Sequence, residues 1–204
     1  LEDDAYSDLY FNEDEKYLTK SMKSFGVKDV DIIYTGSFSK ILGPGFRLGY
    51  MLSSPEIFEK AETIKQALDA CTSNFMQILG NEFLAQHKLE SYLKFLRSEY
   101  LERKNLLQES LEKHMPEEVT WNEPKGGFYI WLKLPSHIKS TDIFKESVTN
   151  GVVFVTGRTF DPASKKDDRL RLSFSNMPKE KSDEMIMEAV WEKYKIHPVN
   201  YGLI

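Results

Sequence analysis

The stretch GSFSKILGPGFRLGY, residues 36–50, sets Lys40 between two hydroxyl residues and a tight Gly43-Pro44-Gly45 segment, with Arg47 just beyond. DIIYTG, residues 31–36, is a short apolar, β-branched run ending at a glycine, which predicts a buried strand feeding a loop. FRLGYML, residues 46–52, predicts the next strand. Lys40 therefore lies in the connection between two strands. A lysine becomes a covalent catalyst when its amine is partly unprotonated and held near a carbonyl. Burial or a neighbouring cation promotes that state, and Arg47 is the neighbouring cation in this run. Ser37, Ser39, the glycine-proline turn and Arg47 together look like a phosphate cup, a pattern that many loops share. Hydroxyls and a planar guanidinium donate to phosphate oxygens, and glycine lets the backbone come close.

Moving outward, DDAY at residues 3–6 places Asp3 and Tyr6 at the carboxyl end of a short strand, where α/β sheets bind ligands. A carboxylate held there needs a cationic partner, and a pyridinium nitrogen would serve. Toward the far end, RLRLSFS at 169–175 alternates. Leu170, Leu172 and Phe174 face one way; Arg169, Arg171 and Ser173 face the other. Arg171 is a candidate for gripping a carboxylate bidentately, with Arg169 its rival on the same face.

The rest of the chain predicts an α/β fold. SSPEIFEKAETIKQALDACTS reads as a helix with Ser54 at its N-cap, Pro55 at its first position and Ile57, Ala61, Ile64, Leu68 and Cys71 at helical spacing. Cys71 reads as a small core hydrophobe. Residues 75–115 predict a long helical segment broken between His87 and Ser91 and ended by Pro116. Its apolar stripe is Leu89, Leu93, Leu96, Tyr100, Leu107 and Leu111; Glu99, Glu102, Arg103 and Lys104 are its expected solvated face. KGGFYIWLKLP predicts a strand opened by two glycines, DIFKESVTNG a helix stopped by Asn150 and Gly151, and VVFVTG a buried strand. A last amphipathic helix uses Met185, Ala189 and Trp191 or Val190. The expected domain boundary lies within the long helix, dividing the chain into 1–90 and 91–204.

Composition bounds the function. The chain has 204 residues, 41% hydrophobic and 29% charged, with a net charge of −5, a globular profile with no basic block for nucleic acid. No run approaches the ~20 apolar residues of a membrane span, and a single cysteine points to a reducing compartment. No metal site is expected.

DDAY, GSFSKILGPGFRLGY, PKGGFYIWLKLP and RLRLSFSN, in this order, resemble the class I/II aminotransferases of fold type I, which use pyridoxal 5'-phosphate. The resemblance is closest to the 2-aminoadipate, aromatic and kynurenine aminotransferase group and runs from residue 2 to about 195. It implies the C-terminal part of the large, mostly parallel-sheet domain followed by a small α/β domain. It further implies that Lys40 matches the lysine that condenses with the cofactor, Asp3 the carboxylate paired with the pyridine nitrogen, and Tyr6 the phenol bonded to the ring oxygen. Ser37 and Arg47 match phosphate ligands, Ser39 is a further candidate, and Arg171 matches the arginine for the substrate α-carboxylate. Amino acid and 2-oxo acid substrates, a cytoplasmic setting and a homodimer for the full-length protein are implied. Upstream parts of the family pattern are absent, so the expectation is a C-terminal half that binds the cofactor poorly and does not turn over alone. Two other readings stay open: a lyase with the same cofactor, and an effector-sensing domain of a DNA-binding regulator.

Overall fold

The computed structural model describes residues 1–26, 30–163 and 165–176. They fall into two compact units: Leu1–Ser98 with Lys125–Gly127, and Glu99–Pro124 with Phe128 onward.

In the first unit, β1 (Glu2–Asp4), β2 (Tyr34–Ser37) and β3 (Gly49–Leu52) form one sheet in that order. β1 and β2 are parallel, with Asp3 opposite Thr35 and Asp4 opposite Gly36. β3 is antiparallel to β2, with Gly36 opposite Tyr50 and Ser37 opposite Gly49. Strand alternation puts Asp3, Thr35 and Ser37 on one face and Asp4, Tyr34 and Tyr50 on the other. β3 starts later than the sequence suggests. Pro44–Phe46 winds a 3-10 turn, and Arg47 takes a left-handed φ of 50° that ends it.

Helix α1 (Pro55–Asp69) starts where expected, with Ser54 at its N-cap and Pro55 at its first position. The Ser54 hydroxyl makes no cap bond, and its oxygen is buried without a partner among the described residues. No residue of α1 is buried, and Ile64 and Leu68 are exposed. Cys71 is also exposed, against the expectation of a core position. The helix ends at Asp69 and Ala70 takes a φ of 58°, so helical spacing no longer governs where Cys71 points. α2 (Asn74–Ala85) and α3 (Leu89–His114) flank the expected break, where His87 has a φ of 53°.

The second unit holds an antiparallel sheet of β4 (Thr120–Trp121), β5 (Tyr129–Lys133), β6 (Val155–Thr156) and β7 (Arg169–Ser173) in the spatial order β4-β5-β7-β6, with helix α4 (Ser140–Thr149). Ile130, Leu132, Leu170 and Phe174 are buried, as are Leu107, Leu111, Ile143 and Phe154. The predicted strand VVFVTG is reduced to Val155–Thr156. Val152 and Phe154 are buried, but the Val152 N–H donates to the Ser147 carbonyl of α4 and not to a ladder.

The expected solvated face of α3 is partly packed. Lys104 is 7% exposed and donates to Gln108 at 3.2 Å. Arg103 Nη1 donates to the Ser175 carbonyl at 2.8 Å. Long stems bury while their heads find acceptors, which a charge pattern alone does not reveal. The predicted helix around Met185, Ala189 and Trp191 lies outside the described residues. Among the described residues no helix is long and apolar enough to cross a membrane.

Candidate functional site

The lysine loop is pinned at both ends. The Phe38 N–H donates to the Leu48 carbonyl at 3.0 Å, the Leu42 N–H donates to the Phe38 carbonyl at 2.7 Å, and Ile41 and Leu48 are buried. The Ser37 hydroxyl accepts from the Ser39 N–H at 3.2 Å, fixing the 3-10 turn Phe38–Lys40. From this turn the half-buried Lys40 places Nζ 5.3 Å from the centroid of the Tyr6 ring, within the range where an ammonium is attracted to the π face. The loop joining two strands thus brings together residues 34 apart in sequence.

Asp3 lies on the same sheet face as Ser37, exposed, and its carboxyl group has no hydrogen bond or ion pair among the described residues. Arg47 is exposed and makes one long bond, Nη1 to the Pro44 carbonyl at 3.4 Å. One unit therefore carries an amine, a carboxyl group, a phenol, a guanidinium and two hydroxyls on β1 and the turn after it, and on the end of β2 and the loop that follows. Arg171 belongs to the other unit.

The two neighbouring acids of DDAY have different surroundings. Asp4, on the opposite face from Asp3, accepts from the Tyr34 phenol at 2.7 Å and from the Ser7 N–H at 3.0 Å. Tyr34 and Phe38 pack on Tyr50, at 6.1 Å and 5.6 Å between ring centroids. Burial, then the bond to Asp4, lifts the Tyr34 phenol above the ordinary tyrosine range. Asp4 thus fixes the turn that carries Tyr6 and leaves Asp3 uncommitted. Sequence reading missed this, although strand alternation held the signal. It also missed Arg97, which is 7% exposed. Its Cζ lies 3.9 Å from the Tyr10 ring centroid, Nε donates to the Asp8 carbonyl at 2.8 Å, and Nη1 donates to Glu90 at 3.0 Å. Burial of Asp8 raises its pKa against the pull of this arginine.

In the second unit Arg171 Cζ lies 3.9 Å from the Tyr129 ring centroid and 4.7 Å from that of Phe160. Its Nε is buried without a hydrogen-bond partner. The rival, Arg169, has its Nε 3.8 Å from Asp168.

The groups of the first unit suit a phosphorylated aldehyde with a basic ring nitrogen. An amine condenses with an aldehyde, hydroxyls and a guanidinium hold phosphate, and a carboxylate pairs with a protonated ring nitrogen. Asp3, without a protein partner among the described residues, fits the last requirement.

Comparison with known proteins agrees with this chemistry. A family model described as aminotransferase class I and II matches residues 1–188. An aromatic-amino-acid aminotransferase of Thermococcus litoralis is 32% identical over 186 residues, 91% of this chain and 44% of that protein. A 2-aminoadipate transaminase of Thermus thermophilus is 34% identical over 181 residues, 88% of this chain and 45% of that protein. The crystal structure of a Pyrococcus horikoshii kynurenine aminotransferase, in complex with PMP, superposes with a TM-score of 0.84 at 34% identity, over 91% of this chain and 45% of that one. An HTH-type transcriptional regulator of Bacillus subtilis also matches, at 31% identity over 87% of this chain and 36% of that protein. The chain spans less than half the length of these relatives.

Proposed function

Because the chain belongs to the class I and II aminotransferase family, we propose that it carries the C-terminal part of a pyridoxal-phosphate-dependent aminotransferase that moves an amino group from an amino acid to a 2-oxo acid. The observation that carries this reading is the Lys40 amine set over the Tyr6 ring, on one loop with Ser37, Ser39 and Arg47. Aromatic or 2-aminoadipate-like donors are proposed, in keeping with the relatives' names. A division near residue 90 into a cofactor-binding part and a C-terminal domain, a cytoplasmic location and a homodimer of the full-length protein belong to the same proposal.

When bound, pyridoxal phosphate supplies an aldehyde for condensation with an amine and a ring that takes up electrons from the substrate's Cα–H bond. Lys40 would hold the group through its amine and, when free, would accept and return a proton at Nζ. Asp3 would pair with the protonated ring nitrogen. Tyr6 would donate its phenolic hydrogen to the ring oxygen. Ser37, Ser39 and Arg47 would hold the phosphate, and Arg171 would hold the substrate carboxylate.

The test is reductive trapping. The protein is mixed with excess pyridoxal phosphate, reduced with borohydride, digested and mapped by mass spectrometry. The pyridoxyl group is expected chiefly on Lys40, and Lys40→Ala should lose that label while background labelling of other lysines stays. Labelling spread evenly over the surface lysines overturns the reading.

A second reading, favoured by the match to HTH-type regulators, makes the same residues an effector-sensing domain behind a DNA-binding segment. It also expects trapping on Lys40. A product assay with the full-length protein, an amino acid and 2-oxoglutarate separates the two, and detects a lyase as well.

A further inference from the structure

Among the described residues two arginines lie against aromatic rings, and they differ in what their N–H groups do. Arg97 sits on Tyr10 but donates to the Asp8 carbonyl and to Glu90, so its donors are committed inside the fold. Arg171 sits against Tyr129 and Phe160, yet among the described residues its guanidinium makes no hydrogen bond and no ion pair. An aromatic face attracts a cation without using its in-plane N–H donors. Rings therefore hold a guanidinium in place while leaving its edge open to a planar carboxylate.

The surroundings fix these rings. Tyr129 is on β5 and Arg171 on β7, where Trp131 is directly opposite Arg171 and Tyr129 is its diagonal neighbour on the same face. Phe160 ends the 3-10 turn Gly157–Phe160 that follows β6. That turn lies so close to β7 that a Cβ on Gly157 would be 2.7 Å from the Arg169 carbonyl oxygen. Just after Phe160, the Asp161 side chain accepts backbone N–H bonds from Ala163, Lys165 and Lys166 at 3.1, 2.9 and 2.9 Å. Trp131 meets Phe160 edge-on, with centroids 5.2 Å apart and planes at 73°.

We propose that Tyr129 and Phe160 are positioning residues that hold the Arg171 guanidinium in one orientation, with its donors free for a carboxylate. The inference rests on the reading of Arg171 as the substrate-carboxylate ligand, and the test keeps the two apart. The probe is 2-oxoglutarate, with its affinity for every variant measured by isothermal titration calorimetry and, in protein labelled with ¹⁵N at arginine, its contact followed at the Arg171 Nε–H signal. The heteronuclear NOE of the same signal reports its mobility. Phe160 is 44% exposed, so Phe160→Leu leaves the core intact.

Phe160→Leu and Tyr129→Leu should each lower the NOE and weaken binding about fivefold, while Phe160→Tyr and Tyr129→Phe should restore both. If the unsubstituted protein shows no saturable shift, or if Arg171→Lys binds as tightly, Arg171 is not the carboxylate ligand. If Arg171→Lys abolishes binding but both leucine variants keep the original affinity and NOE, the positioning role is wrong and the ligand role stands.

Discussion

Gly126 is a point in the first unit where backbone atoms leave no room for a side chain. It forms an isolated antiparallel bridge with Tyr10. On either side of it the Phe11 N–H donates to the Lys125 carbonyl and the Gly127 N–H to the Leu9 carbonyl, both at 2.9 Å. A Cβ on Gly126 would lie 2.5 Å from the Leu9 oxygen and 3.0 Å from Tyr10 Cα. Leu9 and Tyr10 are 0% and 4% exposed, so this backbone has nowhere to go. The carbon–oxygen contact is roughly 1 Å short of ordinary van der Waals separation. A shift of that size takes both hydrogen bonds out of range. At about 1 kcal/mol each plus some overpacking, Gly126→Ala should cost the segment about 2–3 kcal/mol. At about 1.4 kcal/mol per tenfold, the Phe11 and Gly127 amides should exchange with deuterium roughly 30- to 100-fold faster. Gly127→Ala is the comparison. Gly127 has a φ of +79° but nothing within 4 Å of its Cβ position, so backbone strain of about 1–2 kcal/mol is its only cost, and its effect should be smaller. Exchange within threefold of the original in Gly126→Ala, or a larger effect from Gly127→Ala, would refute the steric argument. The segment matters because Leu9–Phe11 follows directly on the turn that presents Tyr6 to Lys40.

Two further outcomes test other parts of the structure. Asp167 caps α4 from a distance: its side chain accepts from the Ser140 hydroxyl at 2.5 Å, from the Thr141 N–H at 3.3 Å and from the Thr141 hydroxyl. Burial pushes its pKa up, but these bonds prevail and hold it below the ordinary carboxylate value. A depressed folded pKa stabilises above about pH 4 and is lost as pH falls through the folded value. In urea unfolding, Asp167→Ala should cost about 1 kcal/mol at neutral pH and less as the pH drops below about 4; a gap independent of pH would count against it. Tyr34 has the opposite sign. Burial, then its bond to Asp4, raises its pKa, so its contribution is whole below about pH 10 and is lost as pH rises through the elevated value. The tyrosinate absorbance difference between the protein and Tyr34→Phe should titrate above the usual range and move down in Asp4→Asn. An unchanged curve in Asp4→Asn would rule out that bond as a cause.

Much of the architecture was legible because it rests on local rules. Pro55 opens α1, a break near His87 separates α2 from α3, and the alternation of Leu170, Leu172 and Phe174 with Arg169 and Arg171 marks β7. The Lys40–Tyr6 encounter was legible only through motif order, since 34 residues separate the two. What stayed hidden depends on packing partners. Lys104 and Arg103 read as surface charges, and Arg97 drew no reading, because sequence does not show which acceptors will surround a helix face. Cys71 read as buried because the periodicity was extended past the left-handed Ala70, which sequence does not mark. Tyr129 and Phe160 were invisible as companions of Arg171, since strand register and a turn after β6 bring them there.

β7 is paired on both flanks, with five partners on β5 and two on β6. A strand tethered that way resists sliding by one position, and here sliding would do double harm. Leucines would come to the outer surface, while Arg169 and Arg171 would turn into the space now filled by Leu170 and Phe174, at several kcal/mol per unpaired cation. The ordering of the hydrophobic interior and the outward display of the guanidinium are thus a single constraint, so a deletion or insertion next to this strand cannot damage one without the other.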